Sequence, residues 1–218
     1  MSARTFFITG TDTGVGKTHV TCELLQQLRQ NGVKACGYKP VASGCAHTPQ
    51  GLRNDDALAL QQAAGTAEPY VHINPYAFEP PIAPHLAAAQ AGVHVDLKRL
   101  NEAHAQLSSR YDVVLIEGAG GWQVPLNEEV TFADWVGTQG WPVILVVGMR
   151  LGCINHALLS VDSILSRAPL LGWIANDLPP AMPMLDENIE ALRHRISAPM
   201  LRVTDIPAYL AARGDAGS

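Results

Sequence analysis

Apolar positions in this chain fall into two patterns. Residues 6–8, 111–117 and 142–147 are continuous apolar runs without polar alternation, which is how strands buried on both faces read. Residues 33–41 and 172–176 read as further strands, and 200–203 as a short one. Between them apolar residues recur at helical spacing. Val20, Leu24, Leu25 and Leu28 form one such face, closed by Asn31-Gly32, where the chain can leave the helix with positive φ. Residues 54–64 form a second helix, with Asn54 or Asp55 as its cap. Helices are also expected at 86–90, at 96–109 behind the cap Asp96, and at 184–196. Another spans 154–166, with Leu158, Leu159, Val161, Ile164 and Leu165 mostly buried. Gly, Ser, Pro, His and Thr dominate 42–53, predicting an irregular connection. Prolines at 75, 80, 81 and 84 predict a short edge strand and an extended, lid-like segment over 70–84.

Strand alternating with helix predicts a mostly parallel sheet with helices on both faces, the α/β class. No linker composition interrupts the 218 residues, so a single domain is expected over 1–218, fraying from Arg213. Composition supports this: 47% of residues are apolar and 16% charged, enough to bury a substantial core. A net charge of -5 without a basic stripe argues against nucleic-acid binding. The four cysteines, Cys22, Cys36, Cys45 and Cys153, show no metal-ligand or disulfide spacing. No apolar run approaches the ~20 residues of a membrane span. Residues 1–9 are too short for a signal peptide, so a cytoplasmic protein is expected.

The chemistry concentrates at Gly10-Thr-Asp-Thr-Gly-Val-Gly-Lys-Thr18, between the first strand and the first helix. Strand, glycine loop and helix is the setting of a phosphate-binding loop. Glycines let backbone N–H groups turn inward, the helix start adds partial positive charge, and the Lys17 ammonium reaches outer phosphates. The Thr18 hydroxyl is then placed for Mg²⁺. Five residues separate Gly10 from Gly16 where the common pattern has four; the surrounding elements weigh more than that count. ParA- and MinD-like ATPases resemble this loop but carry an extra lysine where this chain has Asp12, which disfavours a partner-activated switch of that type.

Other candidates are ambiguous on local grounds. Lys39, at the end of the second strand and four residues before Ser43, is either a snorkelling surface charge or part of an anion-gathering site. Asp55 and Asp56 cannot both face one ligand, because consecutive helical residues point ~100° apart. Glu117 is either a solvated strand terminus or a metal ligand opposite the phosphate loop, and Gly118-Ala-Gly-Gly121 after it leaves room for close approach. Gly152-Cys-Ile-Asn155 is either an ordinary cap or an amide cradle for a carboxylate.

Taken in order, Gly10–Thr18, Tyr38-Lys-Pro-Val-Ala-Ser-Gly44, Asn54-Asp-Asp-Ala57, Asn74-Pro-Tyr76, Pro84-His85, Glu117-Gly-Ala-Gly-Gly121, Leu151-Gly-Cys-Ile-Asn-His156 and Trp173-Ile-Ala-Asn-Asp177 resemble dethiobiotin synthetase. The resemblance covers most of residues 5–178 and implies a P-loop NTPase-like fold. It also implies a ligase that joins 7,8-diaminopelargonate and CO₂ at the expense of ATP, in biotin biosynthesis. Lys17 and Lys39 are then the catalytic cations, and Thr18, Asp56 and Glu117 the Mg²⁺ ligands. ATP contacts fall on Gly14, Val15, Gly16, Lys17, Thr18, His19, Asp56, Glu117, Gly118, Ala119, Gly120, Asn176 and Asp177, with a weaker carry-over to Ile206, Pro207 and Ala208. Substrate contacts fall on Thr13 and Ser43. Gly152, Cys153, Ile154 and Asn155 act in the neighbouring subunit of a homodimer. Some relatives carry glutamate where this chain has Gly14. Two rival readings share features with this one. A cobyrinate-type amidase ligase needs a glutaminase domain for which the chain has no room; a partner-regulated nucleotide switch would release ADP in response to a protein.

Overall fold

The computed structural model describes residues 3–206. Its centre is a five-stranded parallel sheet of β1 (Arg4–Gly10), β2 (Ala35–Tyr38), β7 (Val113–Gly121), β8 (Val143–Met149) and β9 (Leu170–Asp177), in the order β2-β7-β1-β8-β9. Two small pairs flank it: β3 (Val41–Ala42) with β6 (Tyr76–Ala77), parallel, and β4 (Ala46–Thr48) with β5 (Gly51–Arg53), antiparallel. The helices are α1 (Lys17–Gln30), α2 (Asp55–Ala64), α3 (Tyr70–Ile73), α4 (Pro84–Gln90), α5 (Leu97–Ser108), α6 (Phe132–Gln139), α7 (Cys153–Leu165) and α8 (Leu185–Arg193), with a 3-10 turn at Val203–Asp205.

Successive strand residues point to opposite faces, and each face has its own core. Phe6, Ile8, Val113, Leu115, Ile144 and Val146 pack with Leu24, Leu25 and Leu28 of α1 and Leu60 of α2. Phe7, Val114, Ile116, Leu145 and Val147 pack on the other side with α5, α6 and α7. The expected two-sided α/β layering is therefore what forms, and nearly every residue of β1, β7 and β8 up to Glu117 is buried.

Several local expectations are corrected. The strand expected over 33–41 breaks between β2 and β3 because Pro40 has no N–H for a ladder; Lys39 N–H instead donates to the Ile73 carbonyl at 2.8 Å. The connection at 42–53 is not irregular throughout, since β4 and β5 form a hairpin with Ala46 opposite Arg53. Tyr70–Ile73 is a helical turn rather than an edge strand, and only Tyr76–Ala77 pairs. β7 continues through Glu117 to Gly121. Residues 200–203 make one bridge, Met200 to Trp173, before the 3-10 turn. In α7, Leu159 and Leu165 are 62% and 52% exposed, against the expectation of burial. α6 has no counterpart among the expected elements; Thr131 and Asp134 close its first turn as a reciprocal capping box.

The caps behave as anticipated at the helices that frame the site. Asn54 is the cap of α2, its side chain accepting from Ala57 N–H at 3.3 Å, which makes Asp55 the first helical residue. Asp96 caps α5 by accepting from Lys98 N–H at 2.8 Å.

At the amino edge of the sheet, His104 of α5 shares hydrogen bonds with Thr5 Oγ1 at 2.8 Å and Ser108 Oγ at 3.1 Å, and its ring lies 4.6 Å from Trp141. Burial lowers its pKa to about 4. A histidine depressed below its unfolded value stabilises the fold above the unfolded pKa of about 6.5, and that stability drains as pH falls toward the folded value. His104→Gln is expected to lose less urea resistance than the wild type between pH 7 and pH 4.5. Parallel losses in the two proteins would show that this imidazole does not govern the acid limb.

Candidate active site

The loop from Gly10 to Gly16 leaves β1 at the carboxyl edge of the sheet and enters α1. Gly16 sits at φ 87°, where a side chain is strained, and a Cβ there would lie 2.1 Å from Asn176 Nδ2. Both conditions demand glycine. Asn176, at the end of β9, donates from Nδ2 to the Val15 carbonyl at 2.9 Å and so braces the loop from the far side of the sheet. Lys17 is buried, with Nζ donating to the Asp12 carbonyl at 3.0 Å.

Three elements deliver the remaining charges. Lys39 follows β2, Asp56 lies in the first turn of α2, and Glu117 stands in the middle of β7. The Lys39 ammonium donates to Asp56 Oδ2 at 2.8 Å and to Glu117 Oε1 at 2.5 Å, with the Gly118 carbonyl at 3.5 Å. Thr18 Oγ1 donates to the same Glu117 oxygen at 2.9 Å. Lys39 is therefore no snorkelling surface charge, and Glu117, fully buried, is no solvated terminus. Asp55 is exposed while Asp56 faces Lys39, as the helical angle between neighbours requires.

Burial sets the electrostatics first. Desolvation, reinforced by Lys39, lowers the Lys17 pKa to about 8 against the pull of Glu117, Asp56 and Asp12. Burial pushes Lys39 down too, but Glu117 and Asp56 outweigh it, and its pKa ends above the ordinary lysine value. Asp56 is pushed up by burial and brought down further by Lys39, Thr18 and Lys17, so it ends below the usual carboxylate range.

Lys17, Thr18, Lys39 and Asp56 line a cavity of about 680 Å³, while the fully buried Glu117 meets it only through Lys39 and Thr18. Thr13, Gly14, Gly16, Lys17 and Thr18 form one wall; Lys39, Ser43, Asn54 and Asp56 form another; Ala119 and Gly120 lie at the floor. Ser43 Oγ is buried without a partner. Pro81, Ile82, Ala83 and Pro84, the last of them opening α4, also line the cavity and belong to the proline-rich stretch read as lid-like.

Not every expected residue lines this cavity: Val15, Glu117, Gly118 and Asn176 are not among its lining residues. His19 is exposed on α1, with Nε2 3.4 Å from Glu23 Oε1. Asp177 is exposed at the end of β9, and Ile206 is buried in the core against α1. Pro207 and Ala208 lie outside the described residues, as does the segment from Arg213. Gly152, Cys153, Ile154 and Asn155 start α7 and do not line the cavity. The Cys153 side chain is buried and its N–H donates to the Arg150 carbonyl at 2.9 Å, which leaves the amides of Ile154 and Asn155 as first-turn donors.

Two contributions escaped the sequence. Arg150 Nη2 donates to Asp12 Oδ2 at 2.6 Å, tying the loop before α7 to the phosphate loop. Val124 also lines the cavity. Neither lies in a periodic segment, so no local signal marked them.

The set Thr18, Asp56 and Glu117 offers only hard oxygens, and Glu117 Oε2 is buried with no hydrogen-bond partner. Among the described residues no three His, Cys, Asp or Glu side chains gather into a metal-holding group. Two carboxylates and a hydroxyl suit Mg²⁺, which keeps several waters and takes phosphate oxygens.

The AAA domain family matches residues 4–209. The ATP-dependent dethiobiotin synthetase of Xanthomonas euvesicatoria is 51% identical over 89% of this chain and 87% of its own length. Its counterpart from Pseudomonas paraeruginosa is 50% identical over 96% of this chain and 95% of its own, and that of Salmonella typhi 51% identical over 90% and 86%. Among solved structures, a ParA family ATPase of Chlorobium tepidum superposes with a TM-score of 0.53 at 16% identity, covering 92% of this chain and 82% of that one. The cell division protein FtsY of Thermotoga maritima gives 0.52 at 15% identity, covering 93% and 64%. At such identity these two likenesses speak for the fold alone. The curated relatives carry more: on identity near one half over almost the full length, the chain belongs to the ATP-dependent dethiobiotin synthetases.

Proposed function

We propose that this chain closes the ureido ring of dethiobiotin from 7,8-diaminopelargonate, CO₂ and ATP, in the cytoplasm, releasing ADP and phosphate. The observation that carries the proposal is the convergence of Lys17, Lys39 and Asp56 on one cavity lined also by Ser43, whose hydroxyl is unpartnered, with Glu117 bonded to Lys39 from beneath its surface. One amine of the substrate takes up CO₂ and loses a proton to become a carbamate. A carbamate oxygen then attacks the γ-phosphorus and displaces ADP. The second amine attacks the carbonyl carbon of the resulting anhydride and expels phosphate.

Carbamate and triphosphate are both anionic, so their approach needs fixed positive charge already in place. Lys17 and the amides of Gly14, Val15 and Gly16 hold the phosphates, while Lys39 stands between the phosphoryl group and the carbamate. Thr18, Asp56 and Glu117 would hold Mg²⁺, which supplies charge neutralisation at the phosphate oxygens when bound. Thr13 and Ser43 face the diamine; Gly118, Ala119 and Gly120 belong to the nucleotide contacts. Asn176 reads the adenine edge with the amide oxygen and N–H it does not spend on Val15, and His19, Asp177 and the stretch Ile206, Pro207 and Ala208 complete the nucleotide contacts. Gly152, Cys153, Ile154 and Asn155 serve the second subunit of a homodimer. Their position outside the cavity of their own chain supports that assignment, and so does the exposed Leu159 on α7.

Three outcomes test this. ADP release is expected to require both 7,8-diaminopelargonate and bicarbonate; release that responds to neither, or only to a protein, removes the ligase reading. Lys39→Ala is expected to cut kcat by about 10²–10³, the cost of one preorganised charge at a developing anion. Normal turnover in that variant would strip Lys39 of its role. Because the Lys17 ammonium is lost above about 8 in the free protein and phosphate holds its proton on, the Kd for ADP is expected to rise with pH. The increase is up to about tenfold per unit above that pKa. A Kd that stays flat from pH 7.5 to 9.5 contradicts a titrating Lys17.

A further inference from the structure

Lys39 bonds one oxygen of each of the two carboxylates that a divalent cation would use. Its side chain is 4% exposed, and its ammonium bonds Asp56 Oδ2 and Glu117 Oε1 together. Thr18 donates to that same Glu117 oxygen, and the remaining one, Oε2, is buried and unpartnered. The charges at the base of the cavity balance: Lys17 and Lys39 against Asp56 and Glu117. A bare dication would add two positive charges to this balanced set and, whether it took the bonded oxygens or the unpartnered Glu117 Oε2, would lie close to the Lys39 ammonium with nothing to offset the repulsion. A dication arriving on a triphosphate brings its own neutralising charge. The phosphate also gives the displaced ammonium a new anion to bond.

Resting on the assignment of Thr18, Asp56 and Glu117 as metal ligands, we propose that Lys39 is the counter-cation of the nucleotide-free site. It keeps Asp56 and Glu117 occupied, so a divalent ion is admitted only together with a nucleoside triphosphate, and it turns to the phosphate oxygens once the ion has taken its place. Lys39 thereby acts twice, first excluding a lone metal ion and then serving the reaction. The exchange makes nucleotide and metal binding strongly cooperative, because each ligand removes what opposes the other.

Mn²⁺ is the probe, its free concentration read by electron paramagnetic resonance on the full chain without nucleotide. Wild type and Lys39→Arg, which both carry the charge, are expected to bind Mn²⁺ weakly. Lys39→Met is expected to bind it at least about tenfold tighter, because a unit positive charge at contact distance is gone. Equal affinity in Lys39→Met and wild type, or tight Mn²⁺ binding by nucleotide-free wild type, overturns the proposal. Should Lys39→Met fail to fold, wild type labelled with ¹⁵N-lysine decides. The Lys39 Nζ resonance is expected to hold its position when Mg²⁺ alone is added and to move when Mg²⁺ and a non-hydrolysable ATP analogue are added together; movement with Mg²⁺ alone overturns the exchange. Loss of turnover in Lys39→Ala with no change in Mn²⁺ affinity would leave the catalytic role standing and remove only this one.

Discussion

A buried ammonium held by two carboxylates is the constraint on which the active end of this molecule depends. Taking charges out of water costs several kcal/mol per ion, and the attraction repays it only where geometry is good and the other bonding positions are filled. Here Lys39 meets Asp56 and Glu117, and Glu117 also accepts from Thr18. Lys39, Asp56, Glu117 and Thr18 come from β2, α2, β7 and α1, so the pairing requires four elements to dock in one arrangement. Turning α2 by about 100° about its axis would carry Asp56 away from Lys39 and leave the ammonium with Glu117 alone.

The sheet supplies that arrangement through its layering. Because alternate residues of β1, β7 and β8 feed two separate cores, the strands are fixed on both sides, and β1 keeps one register against β7 as far as Ile8 opposite Glu117 before it shifts ahead of Gly10. In open α/β sheets the crevice at the carboxyl ends of the strands is where ligands bind. Pro40 contributes by ending the β2 ladder just where Lys39 must point into the crevice instead of continuing along an edge. Glu117 sits inside β7 rather than at its tip, which explains its complete burial. Its neighbour Gly118 packs so closely that a Cβ would come within 2.9 Å of the Phe7 ring.

The phosphate side and the diamine side of the cavity are built differently. Backbone donors at a helix start and braces from Asp12, Arg150 and Asn176 hold the phosphate loop. The other lining is Ala42, Ser43, a cap residue and a proline segment, with Asn54 both capping α2 and donating to the Ser43 carbonyl at 3.3 Å. Regular secondary structure fixes the side where the triphosphate is expected. Loops shape the side where a small, flexible diamine is expected, and loops are where substrate recognition commonly lies.

The sequence by itself determined the elements and the chemistry that follow from neighbours in the chain. The glycine loop between strand and helix, the two-sided strands, the cap Asp96, a cap at Asn54 or Asp55, and the rule that only one of Asp55 and Asp56 can face a ligand all rest on interactions within a few residues. Lys39 and Glu117 stayed ambiguous at that level, because a lysine or glutamate at a strand end looks the same whether it meets water or a partner 78 positions away. Only the tertiary structure decided that they pair, that Ser43 is left with a buried hydroxyl, that Arg150 reaches Asp12, and that β4 and β5 fold into a hairpin where composition suggested only irregular chain. Local propensity cannot encode such outcomes, since burial and partner choice come from the docking of distant elements and from the water that docking removes.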